Sequence, residues 1–473
     1  MSRARQRTPS VESVLAELRE LRAGDLPVRG GTTWAYVYDS GSDSAHEVAA
    51  RAYAEMLDVN GLDPTAFPSV VTLENSVVGT AAGLLGGGVP GAGIFTSGGT
   101  ESCLLAVKAA RDARPDVDRP QLVLPITAHP AFHKGAAYLG LEVVTTAVDE
   151  AFRADPGAVA AAVTDRTVLV VASAPSYPTG TVDPVPAIAA AAAERGVLCH
   201  VDACIGGWVL PFLPGPPPFD LAVPGVTSLS VDLHKYAYAP KGASVLLFRD
   251  RALRRKAYFA YAGWPGYPVI NPTVQSAKSA GPVAAAWAVL EHVGLDGYRE
   301  LARDARSALL ALAGGVAGID GLAVLGVPDS TLLAVAGSGV DVFVVADELR
   351  ARGFYAQVQL ALGPVPRSLH FSAHSASRST VDDLVTALRE ATAAARRLGP
   401  VVVPESATAA VAAAEVSTLD EDGFAALLAT SGLTFTDAAG RPSFAVVNAL
   451  LETLSPPDRE AVLRLFLSVL YTP

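Results

Sequence analysis

The sequence predicts an α/β fold, with a mostly parallel sheet in a large domain, a small α/β domain after it and a helical C-terminal extension. Three observations point there. Between about Gly93 and Phe248, short β-branched runs alternate with helical stretches, the pattern of βαβ units whose sheet is covered on both faces. A chain of 473 residues has room for two or three domains around a large core. Half of it is apolar but only 7% is aromatic, which suits a packed globular protein and does not require a membrane protein.

Taken in order, the chain opens with Val11, Val14, Leu15, Leu18 and Leu21 at helical spacing just after Pro9, which suits a first helical turn. Basic residues precede this stretch, but no apolar core of signal-peptide type follows them. Gly79 to Phe95 is the nearest approach to a long apolar run, yet its glycines and proline make it a helix end plus loop. Strands follow at "QLVLPI", "LEVVTT", "TVLVVAS", "VLCHV", "VTSLSV" and "SVLLF", with helices such as "SCLLAVKAARDA" and "VPAIAAAAAERG" between several of them. A long helix from about Gly281 to Ala313 leads to "LAVLGV", "TLLAVAG", "DVFVVADELRARG" and "SLHFSAH", the small unit. Beyond about Pro400 two helical stretches open with a capping-box-like Ser-x-x-Asp, at Ser417 to Asp420 and Ser455 to Asp458. The expected division is 1–60 as an N-terminal segment, 61–315 as the large domain, 316–398 as the small domain and 399–473 as the extension.

A net charge of −11 argues against nucleic acid or an anionic membrane as partner. "RDRALRRKAY" is the densest basic run and reads as a solvated helix face. Three cysteines, Cys103, Cys199 and Cys204, are too few and too irregular for a disulfide framework or a zinc site, so a reducing cytoplasm and no metal are expected.

In an open parallel sheet ligands gather at the carboxyl ends of the strands. That is where "TSGGTES", "TAHPAFHK", "SAPSYPTG", "VDACIGG" and "DLHKYAYAPKG" fall. The turn Ser97-Gly98-Gly99-Thr100 ends a strand and opens a helix, so free backbone N–H groups make it a phosphate site. It lacks the Gly-Lys-Ser/Thr of a P-loop and the third glycine of a dinucleotide fingerprint. Asp202 stands among apolar residues at a strand end, where a carboxylate calls for a cation. His234 and Lys235 adjoin another strand end, and a lysine desolvated beside a second cation, here Lys241, loses its proton more readily.

One cofactor uses all of these groups. Pyridoxal phosphate is held as a lysine Schiff base and needs an acidic partner for its ring nitrogen. Lys235 would carry the aldehyde, Asp202 would keep the ring protonated, the Ser97–Thr100 turn would hold the phosphate and His129 would stack on the ring.

The chain also resembles the sphingosine-phosphate lyases, within the group II pyridoxal-phosphate decarboxylases. The resemblance rests on "PTAFPSV", "TSGGTESCLLAVKAAR", "TAHPAFHKGA", "SAPSYPTGTVDP", "VDACIGGW", "GVTSLSVDLHKYAYAPKGASVLLFR" and "GWPG", in the family's order from about Asn60 to Tyr298. It implies the aspartate-aminotransferase-like fold (fold type I) and a homodimer with active sites at the subunit interface. It gives Lys235 as the Schiff-base lysine, Asp202 as the ring-nitrogen partner and His129 as the stacking histidine. Ser97, Gly99, Thr100 and His234 match the phosphate region, and Lys241 matches a lysine kept near the reacting centre.

The chain departs from that family in places. Asp63 in "NGLDPTAFP" stands where the family has a histidine that helps hold the substrate's phosphate, and a carboxylate there would cost about 1 kcal/mol or more even when screened. Lys278 in "SAKSAG" replaces an arginine and loses its bidentate geometry. The family's upstream tyrosine is Tyr36 or Tyr38. Arg367 in "PVPRSLHF" is a residue type the lyases lack there and could grip a carboxylate.

The expected activity is therefore that of a carbon–carbon lyase, of retro-aldol or α-decarboxylase type, acting on a small and non-phosphorylated amine or amino acid. A transaminase or other Cα chemistry on the same scaffold, and a non-catalytic partner subunit, are the alternatives.

Overall fold

The computed structural model describes residues 9–86, 92–405, 418–430 and 443–471. Its large sheet holds β1 (Ala92–Thr96), β2 (Gln121–Pro125), β3 (Glu142–Thr146), β4 (Thr167–Ser173), β5 (Leu198–Asp202), β6 (Val226–Asp232) and β7 (Ser244–Phe248). The spatial order is β1-β7-β6-β5-β4-β2-β3, and adjacent strands are parallel except where β7 pairs with β1 and β6. Every residue of β2, β4 and β7 is buried, which explains why they read as continuous apolar runs. The carboxyl ends of β1, β2, β4, β5 and β6 share one edge of the sheet, and the motifs singled out above lie along it.

Among the described residues, the hairpin strands β8 (Phe259–Tyr261) and β9 (Val269–Asn271) pair only with each other. The long helix runs from Gly281 to Ala317 and is broken at Gly294, whose φ of 62° is a left-handed conformation that favours glycine. Beyond it, β10 (Leu322–Val324), β11 (Leu332–Gly337), β12 (Gln357–Gln359) and β13 (Ser368–Ser372) form a separate antiparallel sheet in the order β10-β11-β13-β12. The segment before residue 60 joins this second sheet. The Trp34 N–H donates to the Tyr355 carbonyl at 2.8 Å, the Ser372 N–H donates to the Trp34 carbonyl at 2.6 Å, and the fully buried Trp34 ring meets Phe371 edge-on.

The first helix, Val11–Leu21, is capped by Ser10, and its apolar residues are all exposed. Near the other end of the chain, Ser455 caps the helix Pro456–Leu470 and donates to Asp458 Oδ2 at 2.6 Å. Asp420 caps the helix Glu421–Thr430 through the Gly423 N–H. Ser417, its expected partner, lies outside the described residues. The extension is tied to the second sheet's helix Val342–Arg350 by Asp347, which accepts from Ser443 Oγ and the Phe444 and Ala445 N–H groups.

Candidate active site

The segment Leu233–Gly242 folds back at the end of β6, so that the Leu233 and His234 N–H groups both donate to the Ala243 carbonyl at 3.0 Å. Tyr238 sits within this segment at a φ of 56°, a conformation costly for an aromatic residue and held by its surroundings. The Tyr298 hydroxyl, from the long helix, donates to the Ala237 carbonyl, and the Tyr236 hydroxyl donates to the Ala373 carbonyl. Both elements thus clamp the backbone that presents Lys235.

Lys235 points into a cleft of about 340 Å³ lined by Ser97, Gly98, Gly99, Thr100, His129, Asp202 and His234 among others. All the residues assigned to the cofactor therefore converge. The charged group beside Lys235 that matters most, the carboxylate of Asp232, is absent from that set. Lys235 Nζ lies 2.9 Å from Asp232 Oδ2. Burial by itself lowers the Lys235 pKa, but Asp232, aided by Tyr38 and Cys204, outweighs it and raises the pKa well above the ordinary value. The expectation of an easily deprotonated Lys235 is thus corrected. Lys241 is the lysine that loses its proton early, its pKa brought down to about 8 by burial first and by Lys235 second.

Asp202 ends β5 buried, and its Oδ1 accepts from the Cys204 N–H at 3.1 Å and the Ser230 hydroxyl at 3.5 Å. His129 stands at the mouth of the cleft with Nδ1 accepting from the Ala131 N–H, and desolvation lowers its pKa against an opposing pull from Asp202. His234 Nδ1 accepts from the Ala243 N–H, its Nε2 lies 3.6 Å from Asp232, and burial brings its pKa down to about 4. At neutral pH His234 is therefore an uncharged neighbour of the phosphate turn.

That turn fits an anion. The helix Gly99–Ala113 begins at Gly99, so its first N–H groups face the cleft. A Cβ at Gly99 would lie 2.7 Å from Cys204 Sγ and 2.8 Å from Asp232, so only glycine leaves this space open. Glu101, buried in the same helix, accepts from the Ser97 N–H at 2.7 Å and from the Val274 N–H at 2.8 Å, and so pins the turn to the loop after β9. The donor set, the strand-end carboxylate and the buried lysine match what pyridoxal phosphate requires.

Of the two candidate tyrosines, Tyr38 belongs to the site. Lys241 Nζ stands 4.9 Å from its ring centroid, and Tyr38 interacts electrostatically with Lys235. Tyr36 is half exposed and packs on Tyr355. Both line a neighbouring cavity that includes His234 and Lys241.

Two expected substrate residues lie elsewhere. Asp63 is exposed and turns on its own chain, accepting from the Thr65 N–H at 2.8 Å and Thr65 Oγ1 at 2.6 Å, which lower its pKa. It is not among the described residues that line the cleft of its own chain. Arg367 pairs with Glu452 of the extension and lies 3.7 Å from Asp341 with its guanidinium over Phe343. The carboxylates it holds are the protein's own. Lys278 is buried against Glu74 Oε1 at 2.7 Å and the Phe95 carbonyl at 3.2 Å.

Asp232, Glu101 and Tyr177 are site residues that the sequence reading passed over. Tyr177 lines the cleft, stacks on His370 at 4.1 Å and donates to Gln357 Oε1 at 2.5 Å. The signal for Asp232 was present in "DLHK", where a carboxylate three residues before the lysine closes on it in a turn.

Residues 28–306 match the pyridoxal-dependent decarboxylase conserved domain, and residues 405–469 match a C-terminal HTH domain of pyridoxal-dependent enzymes. The chain is 35% identical over 370 residues to sphingosine-1-phosphate lyase 1 of Rattus norvegicus, a match covering 76% of this chain and 64% of that protein. It is 36% identical over 371 residues to the sphingosine-1-phosphate lyase of Oryza sativa, covering 76% of this chain and 68% of that protein. Among solved structures, a sphingosine-1-phosphate lyase of Burkholderia pseudomallei superposes with a TM-score of 0.79 at 33% identity, over 84% of this chain and 94% of that one. A glutamate decarboxylase of Lactobacillus brevis superposes with a TM-score of 0.72 at 19% identity, over 85% of this chain and 97% of that one, and shares the fold.

Proposed function

Because the chain belongs to the pyridoxal-dependent decarboxylase family, with sphingosine-1-phosphate lyases among its relatives, we propose that it is a pyridoxal-phosphate-dependent carbon–carbon lyase of retro-aldol type. Its substrate class is a phosphorylated long-chain amino alcohol. The observation that carries the reading is the meeting of Lys235, Asp202, His129 and the Ser97–Thr100 turn in one cleft.

The cofactor, when bound, supplies an electron sink for the pair left on Cα as the bond to Cβ breaks. Lys235 would hold its aldehyde carbon, Asp202 its ring nitrogen and the helix N-terminus its phosphate. Retro-aldol cleavage also needs a group to take the β-hydroxyl proton. Lys241, with a pKa near 8, is chemically suited to that task.

The expectation of a non-phosphorylated substrate is withdrawn. It rested on Asp63 facing the substrate and on Lys278 in place of an arginine, but Asp63 is spent on its own turn and Lys278 is buried against Glu74. Decarboxylation loses support in the same way. Arg367 is paired within the protein, and no arginine is among the described residues lining the cleft.

A homodimer is part of the proposal. Val14 and Leu18 of the first helix and Phe259, Tyr261, Trp264 and Ile270 around the hairpin are large and exposed, which supports burial against a second copy. The three cysteines are unpaired, which supports a reducing compartment such as the cytoplasm. No described helix is long and apolar enough to cross a membrane.

The test is product analysis with purified, cofactor-loaded protein. A phosphorylated sphingoid base should yield a long-chain aldehyde and ethanolamine phosphate. Carbon dioxide from an amino acid, with no aldehyde from the lipid, would overturn the reading.

A further inference from the structure

Two thiols that the proposed chemistry leaves unused border the cleft, beside the carboxylate of Asp202 that it does use. Cys103, Asp202 and Cys204 are all buried, all border the cleft, and each offers a ligand atom within 4.8 Å of the other two. Cys103 comes from the helix that begins at the phosphate turn, whereas Asp202 and Cys204 come from the end of β5. The Ser230 hydroxyl lies 3.3 Å from Cys204 Sγ and 3.5 Å from Asp202 Oδ1, so a further oxygen stands next to the cluster.

We propose that these three residues form a site for one soft divalent cation of the zinc and cadmium class, open in the cofactor-free chain and closed to the ion once the cofactor is in place. Two sulfurs and one carboxylate oxygen are a donor set such ions prefer, with a fourth position left for water. Zinc–sulfur bonds of about 2.3 Å in a tetrahedron set the sulfurs about 3.8 Å apart. The ligand atoms already lie within 4.8 Å of one another, close to that spacing. The ion replaces the two thiol protons, which leave to solvent, and no electrons move. Asp202 bound to the ion gives up the negative charge that the ring nitrogen needs, so the two ligands compete for it and exclude each other. That exclusion rests on the cofactor reading given above, whereas binding of the ion does not.

The experiment uses the full chain stripped of cofactor and zinc as the probe. Equilibrium dialysis should find one zinc per chain, unchanged in Cys199→Ser and weakened by more than about tenfold in Cys103→Ser and Cys204→Ser. X-ray absorption at the zinc edge of the unaltered chain should count two sulfur neighbours, a readout that does not depend on the variants folding. Prior loading with pyridoxal phosphate should abolish uptake. Undiminished binding in the double Cys103→Ser, Cys204→Ser variant, or fewer than two sulfurs around the zinc, would overturn the site. Zinc held equally by the loaded and stripped chains would overturn the exclusion. Failure of the chain to take up pyridoxal phosphate would instead overturn the cofactor reading, with the sulfur count still deciding the ion site.

Discussion

Lys235 Nζ and Asp232 Oδ2 are 2.9 Å apart at the floor of the cleft, in a turn that begins where β6 ends. The second carboxylate oxygen of Asp232 is buried and has no hydrogen-bond partner among the described residues. Lys235 is thus stored as an ammonium ion beside a carboxylate that burial keeps from water. The charge that makes the lysine stay put is also the charge that must be overcome before it can act as an amine.

Asp232→Asn should therefore lower the Lys235 pKa. In cofactor-free protein, the pH dependence of Lys235 reductive methylation, read by peptide mass spectrometry, should move to lower pH than in the unaltered chain. An unchanged profile would mean that Asp232 does not govern the lysine.

Lys241 gives a prediction of opposite kind. Its pKa of about 8 means that it is protonated below that pH and free to accept a proton above it. Turnover should fall as pH drops through about 8, and Lys241→Ala should lower kcat by about 10²–10⁴-fold and remove this limb. The pH–rate profiles of the two proteins check both statements.

Gly99→Ala tests the phosphate turn by size alone. The added methyl group would meet Cys204 Sγ at 2.7 Å and Asp232 at 2.8 Å, and overpacking of this kind costs about 1–3 kcal/mol. Cofactor occupancy should fall while the far-ultraviolet circular dichroism of the chain is retained. Full occupancy in the variant would place the phosphate elsewhere.

Arg367→Ala should leave turnover within about twofold. Arg367 is 42% exposed, so the loss of its pair with Glu452 should cost about 0–1 kcal/mol in thermal unfolding. A selective rise in KM would restore Arg367 to the substrate site.

These residues also mark how much of the molecule was legible beforehand. The six strands read from "QLVLPI" to "SVLLF" all form; five are largely buried and announce themselves as apolar runs of the right length, while the edge strand β3 is marked by its β-branched residues instead. Lys235, Asp202, His129 and the phosphate turn were readable because each follows its own strand, and the sheet gathers strand ends. The reversed direction of β7 was not readable, since its pairing depends on the fold of the Leu233–Gly242 segment. Arg367 and Asp63 were misread for a related reason. A charged side chain carries no sign of its partner in the sequence, and Glu452 reaches Arg367 only through the docking of the extension, whereas Asp63 finds its partners in Thr65 next door. Asp232 was overlooked although its place three residues before Lys235 in "DLHK" marks it as the partner of that lysine.

The account stands on Lys235 as the residue that carries the cofactor. Incubation with pyridoxal phosphate, borohydride reduction, proteolysis and peptide mass spectrometry should find the cofactor's mass on Lys235, with no visible absorbance band in Lys235→Ala. A label found on Lys241 instead, or a cofactor band that survives in Lys235→Ala, would contradict it.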